Sequence, residues 1–306
     1  MLYFLVGKGI GTNVGFGRIT LRDRHDKLEE FTVQKTFITT DMTSDSKISG
    51  KTYFASDFHL GADARLTSAA RERQLVRWLD MVSDDANAIY LVGDLFEFWF
   101  EYKTVIPKGL SRIMGKLAEL RDGGLPIHAF TGNHDLWMFG YFEQEFGIPV
   151  HRQPIQVSIQ GKTFFIGHGD GLGPGDLGYK RMKKVFTHPF SQWMYQWLHP
   201  DIGTSLANFF SKQSRAATPP AEKNWLGEQN EWLLQYCQRK IDLGITPDYF
   251  VFGHRHLPID WQLKNRHSRY INLGDWMWHN SYAVFDGQDM ALHFFESEGQ
   301  PVSNLQ

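Results

Sequence analysis

The 306-residue chain contains a single cysteine, Cys237. That excludes a disulfide framework and a cysteine-based zinc site. Cys237 lies in a helix-like apolar pattern and reads as a buried, inert thiol. Long apolar runs are missing as well. Stretches such as Tyr3–Val6 and Ile89–Val92 fall far short of the ~20 residues that a membrane-spanning helix needs. Neither sign of charge is in excess: 32 basic and 34 acidic side chains leave a formal net charge of −2. No global field drives the chain toward nucleic acid or an anionic membrane, so charge-driven binding has to be local. Internal repeats and low-complexity tracts are absent too. With 42% hydrophobic and 22% charged residues, the composition is that of a globular protein with a sizeable core, and wholesale disorder is excluded.

Two quantities stand out in what is present. Aromatic residues reach 15%, ten of them Trp, and there are 13 His. The chain opens on Met1–Lys51, rich in Gly, Thr, Asp and Lys, which lacks the basic n-region and long h-region of a signal peptide. Gly15–Ile38 alternates weakly, as a strand or two would, and Met42 offers a second start. Residues 1–50 are therefore expected to be an extension outside the working fold, which spans 51–306.

From Thr52 the pattern becomes regular. Short apolar, β-rich runs recur at Thr52–Ala55, Ala88–Val92, Ile127–Thr131, Thr163–Ile166 and Tyr249–Phe252, each of a length suited to a buried strand. Helical patterns fall between them, at Ser68–Ser83 and at Ser111–Arg121, the latter closed by Gly123-Gly124. Strands alternating with helices predict an α/β protein with parallel strand pairs. Ser281–Phe285 and Met290–Phe295 flank Asp286-Gly287, a hairpin signal. The stretch 171–245 interrupts the alternation. Its spacing predicts helices over Leu177–Leu198, Ile202–Arg215 and Trp225–Leu243, with a break at Pro219-Pro220. Helices inserted into an α/β core are a candidate lid.

Each of the five strand candidates runs into a polar cluster: Asp57-Phe58-His59, Gly93-Asp94, Gly132-Asn133-His134-Asp135, Gly167-His168-Gly169-Asp170 and Gly253-His254-Arg255-His256. Sites in α/β sheets form at the carboxyl ends of strands, so these clusters are expected to share one crevice. A lone Gly-His is usually only a turn. Recurrence at the same structural place argues for a site. Imidazoles with carboxylates and one amide suit first-row ions such as Mn, Fe, Co, Ni or Zn better than Ca or Mg. Asp57, His59, Asp94, Asn133, His168, His254 and His256 exceed what one tetrahedral ion takes and match two ions sharing a bridge, for which Asp94 is the natural ligand. His134, beside Asn133, is a candidate general acid. Asp135 is a candidate to orient its imidazole, or else a helix cap. The other histidines lack this context, with His188 and His199 the best exceptions.

These blocks resemble the calcineurin-like metallophosphoesterase superfamily, whose pattern of D-x-H, G-D, G-N-H-[DE], H and G-H-x-H occurs here complete and in order, from Thr52 to about Asp286. The resemblance implies a four-layer α/β/β/α metallophosphoesterase sandwich. It implies Asp57, His59, Asp94 and His256 on one ion, Asp94, Asn133, His168 and His254 on a second, and His134 near the phosphate. More narrowly, Gly93-Asp94-Leu95-Phe96-Glu97-Phe98-Trp99, Tyr270-Ile271-Asn272-Leu273-Gly274-Asp275-Trp276 and the helical insertion resemble the UDP-2,3-diacylglucosamine hydrolases of lipid A synthesis. That family cleaves a pyrophosphate to UMP and diacylglucosamine 1-phosphate, usually with manganese. Its best-known branch reads G-N-R-D where this chain has His134.

The insertion adds a physical argument of its own. Phe186, Phe190, Trp193, Met194, Trp197 and Leu198 recur at helical spacing among basic residues that include Lys180, Lys184 and Arg215. Some of this apolar surface must pack on the core. The remainder suits acyl chains and an anionic membrane surface, and the basic residues suit a diphosphate. The expected protein is a cytoplasmic di-metal (manganese) pyrophosphatase, peripheral on the inner membrane, in which metal-activated water attacks the α-phosphorus. Lys180, Lys184 and Arg215 are expected on the diphosphate, and Phe190, Trp193 and Trp197 on the acyl chains. No nucleic acid and no obligate protein partner are expected. The alternatives are a metallophosphoesterase on a soluble phosphoester or nucleotide polyphosphate and, less in keeping with a complete ligand set, a non-catalytic scaffold.

Overall fold

The apolar runs that end in polar clusters become the parallel strands of two facing sheets. The computed structural model describes residues 50–173, 177–217 and 224–305, with backbone only at 177, 208 and 212–217. The expected extension, residues 1–49, and the side chain of Arg215 lie outside the described residues.

The first sheet has the order β11-β10-β1-β2-β3-β4, built from β1 (Lys51–Ala55), β2 (Ala86–Val92), β3 (Ile127–Phe130), β4 (Val150–His151) and the hairpin β10 (Ser281–Phe285) and β11 (Met290–Phe294). β1 to β4 run parallel, and β10 returns antiparallel to β1. The second sheet has the order β12-β8-β9-β7-β6-β5, built from β5 (Ile155–Ile159), β6 (Lys162–Ile166), β7 (Tyr249–Phe252), β8 (Pro258–Gln262), β9 (Arg269–Leu273) and β12 (Val302–Ser303). Here β6, β7 and β9 run parallel, as do β8 and β12, and β8 is antiparallel to β9.

Alternation along the strands fills three apolar layers. Between the sheets, Phe54, Tyr90, Val92 and Phe130 meet Phe164, Ile166, Tyr249, Val251 and Ile271. The outer face of the first sheet packs on α1 (Ser68–Ser83), α2 (Ser111–Asp122) and α3 (Tyr141–Phe146) through Leu75, Trp78, Leu79, Leu117 and Phe142. The outer face of the second sheet packs on one helix, numbered α7 (Trp232–Asp242), through Leu233, Leu234 and Cys237. The result is the α/β/β/α sandwich, with the thiol buried as the sequence pattern predicts.

The insertion differs from its expected form. The predicted helix Leu177–Leu198 is two, α4 (Leu177–Phe186) and α5 (Pro189–Gln196), because Pro189 cannot continue α4 and instead starts α5 at its first turn. α6 spans Pro200–Ala217. The predicted third helix starts only at Trp232 and belongs to the outer layer of the second sheet, so α4–α6 are the helices that stand apart from the core layers. His188 and His199 act as caps: His188 Nδ1 accepts from Phe190 N–H at 3.2 Å and His199 Nδ1 from Asp201 N–H at 3.3 Å. No described helix is long and apolar enough to cross a membrane.

Candidate metal centre

The five clusters leave β1, β2 and β3 of one sheet and β6 and β7 of the other, so the crevice lies between two sheets rather than along one edge. Asp57, His59, Asp94, His254 and His256 all hold left-handed backbone, with φ of 57°, 45°, 50°, 66° and 56°. L-residues rarely adopt this region, and each such residue costs on the order of 1–3 kcal/mol. The strain has a local purpose. In Asp57-Phe58-His59 it turns both ligand side chains to the crevice while Phe58 is buried against Trp78 and Trp276. In His254-Arg255-His256 it does the same while Arg255 reaches back to Glu231 at 3.1 Å. Buried Arg71 fixes the first loop, donating from Nε to the Phe58 carbonyl at 2.8 Å and from Nη2 to the His59 carbonyl at 2.7 Å. Gly132 is required by close approach: a Cβ there would lie 2.1 Å from Asp94 Oδ1.

Three groups of donor atoms converge: Asp57, His59, Asp94 and His256 in one, Asp94, His168 and His254 in another, with Asp94 common to both, and His59, Glu97 and His134 in a third. Asn133 joins the second, its Oδ1 3.3 Å from His168 Nε2. All seven ligand candidates are thus brought together. Asp57, His59, Asp94 and His168 are buried, whereas Asn133, His134, His254 and His256 are partly exposed and line the open side.

The donor set fits cations. His59 Nδ1 is 3.2 Å from Glu97 Oε2, and His256 Nδ1 faces Asp275 Oδ2 at 3.3 Å. Carboxylates accept, so Nδ1 of each ring is turned to a carboxylate and Nε2 points into the crevice, where it presents a lone pair once its proton is displaced. Those two Nε2 atoms lie 3.2 Å apart, beside Asp57 Oδ1, which is buried without a hydrogen bond. Two ring nitrogens and a carboxylate oxygen converging out of water demand positive charge, from protons or from a cation that displaces them. His168 repeats the arrangement: Nδ1–H donates to the Val92 carbonyl at 2.9 Å, and Nε2 faces Asp94 Oδ2 at 3.3 Å.

Electrostatics carry the same demand. Burial opposes charge on His59, but hydrogen bonds with Asp57 and Glu97 and the Asp94 charge outweigh it and raise the ring to about 9. Burial likewise opposes charge on His168, but Asp94 and Asp57 raise it to about 10. Burial pushes Glu97 up, yet its hydrogen bond with His59 and the His59 and His134 charges bring it down to about 2.

His134 sits at the open side, its ring edge-on to His59 with centroids 4.8 Å apart. Its Nδ1–H donates to the Glu97 carbonyl at 2.9 Å, which turns Nε2 away from that loop. Asp135 does not orient this ring. Its two oxygens accept from Gly132 N–H at 2.6 Å and Leu95 N–H at 2.7 Å, so the carboxylate ties the β2 and β3 loops together. Burial and the Asp94 charge push it up to about 7.

The insertion presents one face of α5 to the core and the other outward. Tyr195 of α5 packs on Phe98, Phe100 and Trp137. Trp193 and Trp197, two residues either side of it, project roughly 200° around the helix. With Phe190 they form an outward face, 59%, 54% and 74% exposed for Phe190, Trp193 and Trp197. Lys180 is engaged by the Gly173 carbonyl at 2.7 Å, and Lys184 is exposed. The lysine that reaches toward the second ligand group is Lys183, paired with Asp170, which Tyr179 also contacts.

Glu97 and Asp275, the carboxylates behind His59 and His256, were not among the expected site residues. Glu97 carried a signal, since a lone carboxylate inside the aromatic run Leu95–Phe100 must find a buried partner.

The calcineurin-like phosphoesterase family model matches residues 50–258. A Porphyromonas gingivalis protein named UDP-2,3-diacylglucosamine hydrolase is 38% identical over 257 residues, 80% of this chain and 98% of that one. An Aeromonas salmonicida protein of the same name is 27% identical over 238 residues, 76% of this chain and 89% of that one. A solved Escherichia coli phosphoesterase aligns over 80% of this chain and 100% of its own, with 16% identity and a TM-score of 0.39.

Proposed function

The chain belongs to the calcineurin-like phosphoesterase family, and from that membership we propose that it hydrolyses the pyrophosphate of UDP-2,3-diacylglucosamine to UMP and 2,3-diacylglucosamine 1-phosphate. It is a metal-dependent hydrolase. The observation that carries the substrate is a cation-binding crevice joined to helices with an outward apolar face, in a chain similar over 80% of its length to a hydrolase of that name.

In this reading Asp57, His59, Asp94 and His256 hold one divalent ion and Asp94, Asn133, His168 and His254 a second, with manganese the preferred metal. When bound, the ions supply charge for the phosphoryl oxygens and acidify the attacking water. The chain's own residues do the rest. Glu97 and Asp275 keep the Nε2 atoms of His59 and His256 aimed inward. His134 Nε2 moves a proton to the phosphoryl or leaving oxygen as water attacks the α-phosphorus in line. Burial lowers its ring below the ordinary histidine value, and the charge of a phosphate beside it would favour the protonated form.

Lys180, Lys184 and Arg215 serve the diphosphate. Phe190, Trp193 and Trp197 meet the acyl chains where these enter the bilayer, which makes the protein peripheral on the cytoplasmic face of the inner membrane. Residues 51–306 are the catalytic unit, and 1–50 an extension to it. The test compares hydrolysis of UDP-2,3-diacylglucosamine with that of a soluble UDP-sugar in manganese. A marked preference for the lipid is expected, and equal rates would refute the lipid substrate.

A further inference from the structure

Three parts of the molecule meet at Glu97. Its Oε2 accepts from His59 Nδ1–H at 3.2 Å, behind the first cation set. Its backbone carbonyl accepts from His134 Nδ1–H at 2.9 Å. Its Oε1 accepts from the hydroxyl of Ser211, a residue of α6 in the insertion. The Ser211 Oγ also lies 3.3 Å from His134 Nδ1. One side chain of the roof thus touches the support of a metal ligand and the support of the proton carrier.

The rest of α6 explains why this contact matters. Its first half is seated by Gly203, where a Cβ would lie 2.5 Å from the Tyr102 hydroxyl and 3.1 Å from that of Tyr195. Ile202, Leu206 and Phe209 project away from Ser211 and are exposed. Among the described side chains of the second half, Ser211 is the one hydrogen-bonded to the core. We propose that Ser211 is a positioning residue through which the seating of α6 and the affinity of the first cation set form one linked equilibrium.

The physical route is short. A hydroxyl on Oε1 restricts the Glu97 carboxylate to the rotamer in which Oε2 holds His59 Nδ1–H, and so keeps the His59 Nε2 lone pair aimed at the cation. Outer partners of this kind are worth on the order of 10- to 100-fold in metal affinity when they contact the ligand directly, and one step further out the effect is smaller. Linkage is reciprocal: if a seated α6 tightens metal binding, bound metal must hold α6 down by the same factor. The inference rests on the metal half of the proposed function and not on the substrate.

The test uses the full chain with manganese as the only probe, so the fate of the lipid substrate does not enter it. Manganese affinity is measured by calorimetry, and cleavage within 200–217 by limited proteolysis, with the metal and with chelator. Manganese is expected to protect α6 in the wild type. Ser211→Ala should bind manganese about 5- to 10-fold more weakly and lose most of the metal-dependent protection. Ser211→Thr, which keeps the hydroxyl, should restore both. Glu97→Gln, which keeps the shape but weakens the acceptor, should show the same two losses and serves if the alanine variant folds poorly. Unchanged affinity in Ser211→Ala overturns the proposal. So does a loss of protection that is equal with and without manganese, which would mark a purely structural contact. Failure of the wild type to bind manganese at all would refute the metal assignment itself.

Discussion

The floor of the crevice and its roof are built on opposite plans. At the floor, Asp57, His59, Asp94 and His168 are almost fully buried. Their backbones are strained at Asp57, His59 and Asp94, and the ring nitrogens of His59 and His168 that face away from the crevice are held by Glu97 and the Val92 carbonyl. At the roof, Phe190, Trp193, Trp197, Phe209 and Phe210 are more than half exposed, with ring contacts from Phe190 to Trp193, Trp193 to Trp197 and Phe209 to Phe210. The difference divides the labour. The folded core carries the strain that holds the catalytic geometry, so nothing has to reorganise during reaction. The roof leaves its apolar surface free to adapt to whatever covers it. Substitutions at the floor should therefore abolish chemistry, and those at the outer roof should change only where the enzyme acts.

The largest effect is expected at His134. Replacement by Ala should lower kcat by about 10²–10⁴, the usual worth of a positioned acid or base. Manganese affinity should change little, because the ring shares a donor group with His59 and Glu97 but not with Asp94 or His256. Steady-state rates beside calorimetric titration would show this. A variant as fast as the wild type removes His134 from the chemistry, and one that is slow only because it binds metal poorly moves it among the ligands.

That prediction rests on residues that were plain in the sequence, and others were not. Asp57, His59, Asp94, Asn133, His168, His254 and His256 were legible because each follows a short apolar run, and strand ends of one direction gather at one edge. That these ends belong to two facing sheets came only from the resemblance, since β4 has two residues, β5 is half-exposed, and polar residues such as Asp260 and Asn272 interrupt the apolar pattern of β8 and β9. Glu97 and Asp275 were not assigned because their partners His59 and His256 lie far off in sequence, and pairing is a property of the folded loops. Asp135 looked like the partner of its neighbour, but adjacent side chains leaving a strand diverge, and its carboxylate went to loop amides instead. The direction of Trp193 and Trp197 was illegible for a simpler reason. An apolar helical stripe does not say which side meets the core until Tyr195 is found on Phe98 and Phe100.

The floor can be probed through its protons as well. In the ion-free protein His59 is raised to about 9 and His168 to about 10. Both are therefore protonated at pH 7, and a metal ion must displace those protons to bind. Manganese affinity should rise with pH across the neutral range, by about tenfold per pH unit for each proton displaced, and level off near the raised values. Calorimetry in buffers of different ionisation enthalpy counts the protons. The sign for folding is opposite. A raised histidine stabilises the ion-free fold fully below its unfolded value of ~6.5, and that contribution is lost as pH climbs through 9 to 10. The thermal midpoint of chelated protein should fall over that window, and manganese should flatten the fall. An affinity independent of pH would mean that these rings are neutral before metal arrives, and that Asp57, Glu97 and Asp94 do not raise them above pH 7.

The smallest effect on the molecule itself is expected at the roof, and it is the sharpest test of the contrast. Trp197 is 74% exposed and Trp193 54%. Removing an exposed side chain forfeits little buried area, so Trp197→Ser and Trp193→Ser should each shift stability by no more than about 0.5 kcal/mol. Because Tyr195, not these tryptophans, fixes α5 to the core, the floor geometry and manganese affinity should be untouched. What should fall is sedimentation with anionic vesicles, since Trp at a bilayer interface contributes through its apolar body. Thermal melts, metal titration and vesicle binding on the same two proteins separate the outcomes. If either variant melts markedly early, its indole is packed in solution, against a second copy or the rest of the chain. The outer roof would then be an interface already satisfied, and the apolar face would no longer argue for a lipid.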